Sequence, residues 1–233
     1  MRNRSCNCRT RPNRWWEARK NRGGRSPICA QESQCIYRLP PVLSQFHSRY
    51  PKVQLTFRPG IPDADIRVLL ARGELDVAFL LEPAATSDAL QIVPLCPEPV
   101  VLVCHPTHPL TQQRAVYPTD LTDETLLLTE PGCHYRSAFE SAIASAGALP
   151  ANRLELRSIE AIKRCAMEGL GLAVLPEIAV RDEVAKGWLK ALPWTGYDFN
   201  IVTQIAWHKD KWLSPAMKAF IDVAREVISV QPV

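Results

Sequence analysis

The chain has 233 residues, 46% of them hydrophobic and 22% charged, which is the composition of a globular protein large enough to bury a core without disulfides or metal. No segment reaches the ~18 continuous apolar residues that span a bilayer, and the start of the chain lacks the apolar middle of a secretory signal. The sequence therefore predicts a cytoplasmic protein without membrane contact, whose eight cysteines are thiols.

Basic residues are concentrated at the start of the chain. Residues 1–25 contain nine Arg or Lys side chains against one acid, Glu17, so the remainder is acidic although the formal net charge is +4. A body with that balance has no broad attraction to phosphate backbones. The first segment has neither helical nor strand periodicity, and we predict a disordered arm over residues 1–25. Its arginines and two tryptophans could retain nucleic acid by charge and stacking, but a solvated tail is the commoner outcome.

From Pro27 onward, strands alternate with helices. Apolar residues recur at helical spacing over residues 38–49 and alternate with polar residues over 53–58. Residues 76–81 form a nearly unbroken apolar run, which is typical of a strand in a sheet covered on both faces. The predicted elements of this half are strands 28–31, 53–58 and 76–81, and helices 38–49 and 63–72.

The second half continues the alternation, with a proline-broken loop over residues 105–120. The predicted strands are 98–104, 125–129, 154–156, 172–175 and 201–207, and the predicted helices are 134–146, 159–168, 176–186 and 213–228. Such alternation implies parallel sheets with right-handed crossovers. Ligands in such sheets bind beyond the carboxyl ends of the strands, near the N-termini of helices.

Four segments of the chain resemble the LysR-type transcriptional regulators. They are residues 32–43 (ESQCIYRLPPVL), 73–79 (GELDVAF), 126–136 (LLLTEPGCHYR) and 158–176, which contains SIEAIK and GLGLAVLP. Together, in this order and at this spacing, they are similar to the small-molecule-sensing domain of that family over about residues 27–230.

The resemblance implies an α/β fold of two Rossmann-like lobes joined by two crossover strands, like the type 2 periplasmic solute-binding proteins. Lobe one would comprise residues 26–97 and 204–233, and lobe two, with the hinge strands, residues 98–203. A small-molecule effector, which we expect to be an organic acid, would bind in the cleft between them. Family members form homodimers or tetramers and contact DNA through a helix-turn-helix, which is not recognisable in this chain.

The resemblance places the effector contacts at junctions between loops and helices. The predicted effector-binding residues are Ser33, Gln34, Cys35, Gly60 and Ile61 in lobe one, and Gly132, Cys133, Ser158 and Leu172 in lobe two. A structural role is the alternative for each kind of residue. The two serines could simply cap helices, the glycines could serve ordinary turns, and Leu172 could belong to the core.

Redox and metal chemistry have weaker support. Cys133 begins a helix, as does the reactive cysteine of a peroxide-sensing branch of the family, but residues 141–143 are Ser-Ala-Ile, so the resolving cysteine is missing. Cys6 and Cys8 lack the spacing of a zinc-binding pair. The sequence predicts neither a metal nor a cofactor.

An enzyme is also not predicted. Glu32, Ser33 and His47 could suggest a hydrolase, but the chain has no Gly-x-Ser-x-Gly elbow. Two alternatives to a regulator's sensing domain stay open. One is a solute-binding protein of the same fold, and the other is a truncated remnant that does not bind DNA.

Overall fold

The computed structural model describes residues 27–58 and 60–229. The predicted basic arm, with Cys6 and Cys8, lies outside this part of the chain. Within it, no helix is both long and apolar enough to cross a membrane. The same residues contain no cluster of three or more His, Cys, Asp or Glu side chains arranged to hold a metal ion.

Ten strands and six α-helices occupy these residues, together with one π-helical turn and two 3-10 turns. The strands are β1 (Pro27–Cys29), β2 (Thr56–Arg58), β3 (Val77–Pro83), β4 (Leu90–Pro97), β5 (Val100–Cys104), β6 (Thr125–Leu128), β7 (Asn152–Glu155), β8 (Leu172–Pro176), β9 (Lys190–Ala191) and β10 (Ile201–His208). The helices are α1 (Leu39–Arg49), α2 (Asp63–Ala71), α3 (His134–Ser145), α4 (Ile159–Met167), α5 (Glu177–Ala185) and α6 (Pro215–Ile228), with the π turn at Gln34–Arg38 and the 3-10 turns at Pro109–Gln112 and Pro118–Leu121.

The strands form two five-stranded sheets. The first sheet has the order β2-β1-β3-β10-β4 and the second has the order β7-β6-β8-β5-β9. Three neighbouring strands of each sheet are parallel, whereas β10 and β5 are antiparallel to both of their neighbours. The predicted two-lobed α/β class is confirmed. The expectation of wholly parallel sheets was wrong, because β5 and β10 enter from the other sheet without the helical crossover that parallel pairing requires.

Helices cover both faces of each sheet. In β3, Phe79 packs on the side of α1 and α6, while Leu80 packs on the side of α2. In β6, Leu126 packs with α3, while Leu127 packs with α4 and α5. Alternate strand residues therefore enter two different core layers, as the two-residue period of a strand requires. We call the first sheet with α1, α2 and α6 the first lobe, and the second sheet with α3, α4 and α5 the second lobe.

Two strands, β4 and β9, were not predicted from the sequence. β4 contains Pro94 and ends at Pro97, and both prolines lack the N–H group that a central strand needs. The structure places β4 at the edge of the first sheet, where proline is tolerated. β9 has only two residues, too few for a recognisable alternation.

Helix ends differ from the predicted capping. Ser158 occupies the N-cap position of α4, but its side chain accepts no capping hydrogen bond. The long C-terminal helix begins later than predicted, because Ser214 caps it and its hydroxyl oxygen accepts a hydrogen bond from the N–H of Met217 at 3.2 Å.

A buried charged cluster lies where the chain crosses between the sheets. Glu98 lies in the first crossover, and its N–H donates to the carbonyl of Ile201 at the second crossover, at 2.8 Å. The guanidinium of Arg38 donates two hydrogen bonds of 3.0 Å to the Glu98 carboxylate. The hydroxyl of Thr203 donates a further 3.0 Å bond to the same group. This cluster joins both crossovers to the turn that precedes α1.

Candidate functional site

The predicted site residues mostly follow the carboxyl ends of parallel strands. Ser33 comes after β1, Gly60 after β2, Gly132 after β6 and Ser158 after β7. β1 and β2 are parallel neighbours in the first lobe, and β6 and β7 are parallel neighbours in the second. Parallel neighbours end at the same edge of a sheet, so each lobe collects these loops at one edge.

The loops that carry Ser33 and Ser158 meet across the two lobes. Glu32, next to Ser33, accepts a hydrogen bond at 3.0 Å from the N–H of Ile159, which follows Ser158. Ser33 is buried and has helical backbone angles, φ −57° and ψ −41°, and its side chain makes no capping hydrogen bond. The first turn of α4 is therefore capped by a carboxylate of the opposite lobe.

The glycine loops also approach each other. A Cβ atom placed on Gly132, after β6, would lie 3.5 Å from the Cβ of Pro62, before α2. Gly132 has a φ of +98°, a value that suits glycine. Gln31 connects the loops of the first lobe, because its side-chain amide donates to the carbonyl of Ile61 at 3.4 Å. The Gly60–Ile61 turn thus lies between the loop after β1 and the second lobe.

Gln34 and Cys35 have structural partners within the first lobe. The amide nitrogen of Gln34 donates to the carbonyl of Leu80 at 3.3 Å, and its amide oxygen accepts from the N–H of Gln31 at 3.1 Å. The Cys35 thiol lies 3.7 Å from the carbonyl oxygen of Ala30. Burial raises the pKa of Cys35, and the nearby negative charge of Glu32 raises it further, so this cysteine is a thiol at neutral pH.

Cys133 and Leu172 lie differently from the other second-lobe candidates. Cys133 is at the N-cap position of α3, is half-buried and packs against the second-lobe core. Leu172 is the first residue of β8, pairs with Leu126 and is fully buried in that core. It lies at the amino end of its parallel strand, so the structure does not bring it to the edge that carries Ser158 and Gly132.

A charged group that the sequence analysis missed bridges the lobes near Gly132. Glu82, at the carboxyl end of β3, is buried and forms an ion pair with Arg67 of α2. Its other oxygen lies 3.4 Å from Nε2 of His134, the first residue of α3. The sequence did contain a signal for this group, because Glu82 is the single acidic residue in an otherwise apolar strand.

A buried arginine fixes the loop after β6. Arg136 donates to the backbone carbonyl of Thr129 and, at 2.7 Å, to the carboxylate of Glu155. Burial lowers the pKa of this guanidinium, but hydrogen bonds to Glu155 and Glu140 outweigh that effect and raise it, so the charge is retained. The loop that carries Gly132 is thereby held against the end of β7.

A polar network joins the first lobe to α4. The Tyr37 hydroxyl donates to Glu160, and the ammonium of Lys163 donates to the Tyr37 oxygen at 3.1 Å and to Glu160 at 2.9 Å. Lys163 is buried and also pairs with Glu183 at 2.7 Å. Burial opposes ionisation of Glu160, but hydrogen bonds from Tyr37 and Lys163 outweigh it and lower its pKa. Burial alone would lower the pKa of Lys163, yet its hydrogen bonds raise it.

The phenol of Tyr37 provides a test of this network. Burial and the hydrogen bond to Glu160 raise its pKa from 10.0 to about 12. Because the folded-state pKa is the higher one, the stabilisation is complete below the ordinary tyrosine pKa and is lost as the pH rises toward about 12. We expect the free energy of unfolding to fall less steeply over this window in Tyr37→Phe than in the wild type. Denaturant titrations at a series of pH values measure it.

The matched control is Tyr197→Phe, which removes an exposed phenol of the second lobe. Its pH profile should follow the wild type. If Tyr37→Phe also follows the wild type over the whole window, the network does not hold the neutral phenol.

A separate surface depression lies on the second lobe. It has a volume of about 360 Å³ and is lined by His105, Pro106, Arg164, Met167, Glu168, Gly187 and Trp188. None of the predicted effector-binding residues lines it. The candidate site is therefore the edge where the two lobes meet, and we call the loops around Ser33, Gly60, Gly132 and Ser158 the interlobe site.

Comparison with known proteins covers most of the chain. A family model described as the LysR substrate binding domain matches residues 19–229. The HTH-type transcriptional regulator YwqM of Bacillus subtilis (strain 168) is 45% identical over 203 residues, which cover 87% of this chain and 69% of that protein. The HTH-type transcriptional regulator YfiE of Escherichia coli (strain K12) is 32% identical over 209 residues, covering 87% of this chain and 68% of that protein. The chain thus spans about two thirds of the length of these relatives.

Solved structures show the same architecture. The regulatory domain of Synechocystis PCC6803 CcmR, in complex with 2-PG, matches with a TM-score of 0.77 and 25% identity, covering 90% of this chain and all of that one. The regulatory domain of MetR, a LysR family regulator from N. meningitidis, matches with a TM-score of 0.73 and 23% identity, covering 87% of this chain and 93% of that one.

Proposed function

Since the chain belongs to the LysR substrate-binding domain family, we propose that it binds a small organic acid at the interlobe site and thereby controls transcription as part of a LysR-type regulator. The observation that carries this proposal is the Glu32–Ile159 hydrogen bond, which joins the loop that carries Ser33 to the loop that carries Ser158. A site whose two halves belong to different lobes can bias how the lobes are arranged, because a ligand favours the arrangement in which it contacts both.

The chemistry of the interlobe site supports a small anionic ligand. The first turns of α3 and α4 begin there, and helix N-termini present N–H groups without a partner inside the helix, together with a positive dipole end. We propose contacts to Ser33, Gln34, Cys35, Gly60 and Ile61 from lobe one, taken as residues 26–97 and 204–233, and to Gly132, Cys133 and Ser158 from lobe two, residues 98–203. The regulatory domain of CcmR, which shares this fold, was solved in complex with 2-PG.

The partners of the proposed regulator follow from its relatives. These relatives are transcriptional regulators of the helix-turn-helix type, and this favours neither an enzyme nor a solute-binding protein. We propose a cytoplasmic homodimer or tetramer without catalytic activity. In it, DNA would be contacted through a helix-turn-helix, a motif that is not recognisable in the sequence of this chain.

A melting-temperature screen of the full chain with small carboxylic acids tests the proposed function. Ligands that bind only the folded state stabilise it by mass action, by about 2.7 kcal/mol at a concentration of 100 times Kd. We expect at least one acid to raise the melting temperature saturably. We also expect Ser33→Ala and Ser158→Ala to weaken that response at least tenfold in half-saturating concentration.

Ser44→Ala, which removes an exposed hydroxyl from α1, is the matched control and should respond like the wild type. Saturable stabilisation that survives both Ser33→Ala and Ser158→Ala would place the ligand elsewhere. A response to no acid at all would contradict the ligand class.

A further inference from the structure

The two lobes are joined by two side chains that come from the same short segment. Glu32 and Tyr37 belong to the first lobe, and both contact the first two turns of α4. Tyr37 also packs against the core of the second lobe, with the Lys163 ammonium 5.5 Å from the centre of its ring. These contacts link residues more than 120 positions apart in the chain.

The Glu32 contact supplies what α4 lacks. Ser158 occupies the N-cap position, but its side chain makes no capping hydrogen bond. The N–H of Ile159 is one of the first four N–H groups of the helix, none of which has a partner within the helix. The Glu32 carboxylate accepts this N–H at 3.0 Å, and its negative charge faces the positive end of the helix dipole. A side chain of the first lobe therefore stabilises a helix of the second.

Ion pairs within the second lobe hold the residue that Tyr37 contacts. Lys163 is buried, and it donates to Tyr37, Glu160 and Glu183 at 3.1, 2.9 and 2.7 Å. Its position is therefore fixed by three oxygen atoms, two of which belong to its own lobe. Lys163 pairs with Glu160 and Glu183 independently of Tyr37. The Tyr37 hydroxyl can therefore move away while Lys163 keeps both carboxylate partners.

We propose that Glu32 and Tyr37 form a latch that holds the two lobes closed on each other without an effector. The Glu32–Tyr37 latch consists of these two side chains and their partners on α4, namely the N–H of Ile159, the carboxylate of Glu160 and the ammonium of Lys163. Its release frees an N–H donor and a phenol at the interlobe site, and the lobes then separate at this edge.

The latch also bears on the effector, and this step rests on the proposed function. An acid that reaches Ser158 meets the first turn of α4, where Glu32 already provides a carboxylate. The effector and Glu32 then compete for the same N–H group, so Glu32 acts as an internal competitor that lowers the affinity for acids. Its removal is expected to strengthen acid binding.

Hydrogen exchange of the Ile159 amide in the full chain, without ligand, tests the latch. We expect exchange at least about tenfold faster in Glu32→Ala than in the wild type, because the amide loses its acceptor. Glu32→Gln keeps an acceptor oxygen without the charge and should give an intermediate rate. Tyr37→Phe should accelerate the same amide more modestly. The combined Glu32→Ala and Tyr37→Phe variant should show a larger radius of gyration in small-angle X-ray scattering.

The matched control is Glu168→Ala, which removes an exposed carboxylate from the other end of α4. It should leave the exchange of Ile159 unchanged. Cooperative melting of each variant shows that it is folded. If Glu32→Ala exchanges like the wild type at Ile159, or if the combined variant has the wild-type radius of gyration, the latch is refuted.

A second arm separates the latch from the proposed function. Sodium succinate and sodium benzoate are titrated against wild type and Glu32→Ala, and the half-saturating concentration is read from the melting temperature. At least about a threefold lower value in Glu32→Ala supports competition by Glu32, and an equal value contradicts it. If neither acid affects either protein, succinate and benzoate are not ligands and the competition step fails, while the exchange result alone decides the latch.

Discussion

Replacing Arg38 with methionine is expected to lower the free energy of unfolding by about 3–5 kcal/mol, the range found when one partner of a buried ion pair is removed. Arg38 and Glu98 are 1% and 3% exposed, and their two 3.0 Å hydrogen bonds form a bidentate pair. Without the guanidinium, the Glu98 carboxylate stays buried and loses the charge that balances it, while it keeps the hydrogen bond from the Thr203 hydroxyl. Urea unfolding followed by circular dichroism measures the loss.

The exposed pair Arg49–Glu226 provides the matched control. Its side chains are 44% and 54% exposed and 2.8 Å apart, so solvent screens the pair and Arg49→Met should cost much less than Arg38→Met. The double variant Arg38→Met, Glu98→Met should recover much of the loss, because it leaves no unpaired buried charge. If Arg38→Met costs no more than Arg49→Met, the cluster at the crossovers does not stabilise the fold.

Gly171→Ala is expected to cost about 3 kcal/mol, the upper part of the usual range for an added methyl group in a packed interior. Gly171 immediately precedes β8, and a Cβ atom there would overlap the backbone oxygen of Thr125 and lie 3.0 Å from its carbonyl carbon. Since Thr125 begins β6, the overlap would push apart two parallel strands whose pairing starts at Leu126 and Leu172. The same urea experiment measures this loss.

Gly187→Ala distinguishes a steric clash from backbone strain. Gly187 has a φ of +71° and nothing within 4 Å of an added Cβ, so alanine there costs only the roughly 1–2 kcal/mol of a left-handed residue. Gly171 carries no such φ, so its cost comes from contact alone. A loss in Gly171→Ala that is no larger than the loss in Gly187→Ala would contradict the expected overlap with Thr125.

Much of the architecture was predictable because it is local. The helices follow from apolar residues at a spacing of 3.6, and the central strands follow from short apolar runs between glycine and proline. β4 was missed because Pro94 argues against a strand until the strand is known to be at an edge. The direction of β5 and β10 was missed because pairing direction has no local signature.

The interlobe site was predictable only in part. Ser33 and Ser158 were found through the family resemblance, and the place of each at the carboxyl edge of its own sheet follows from the parallel strands before it. Glu32, by contrast, contacts a backbone N–H 127 positions away, and nothing in the sequence near either residue indicates it. The same holds for Arg38 and Glu98, which are ordinary charged residues until the fold buries them 60 positions apart.

The order of strands in the first sheet has a consequence for synthesis. β10 lies between β3 and β4, yet among the strands of residues 27–229 it is the last one made. On the ribosome, the edges of β3 and β4 that pair with β10 therefore have no partner strand until β10 emerges. By then all five strands of the second sheet have already emerged. The inserted half is expected to fold first during translation, and the first sheet is completed only when β10 arrives to join β4 to β3.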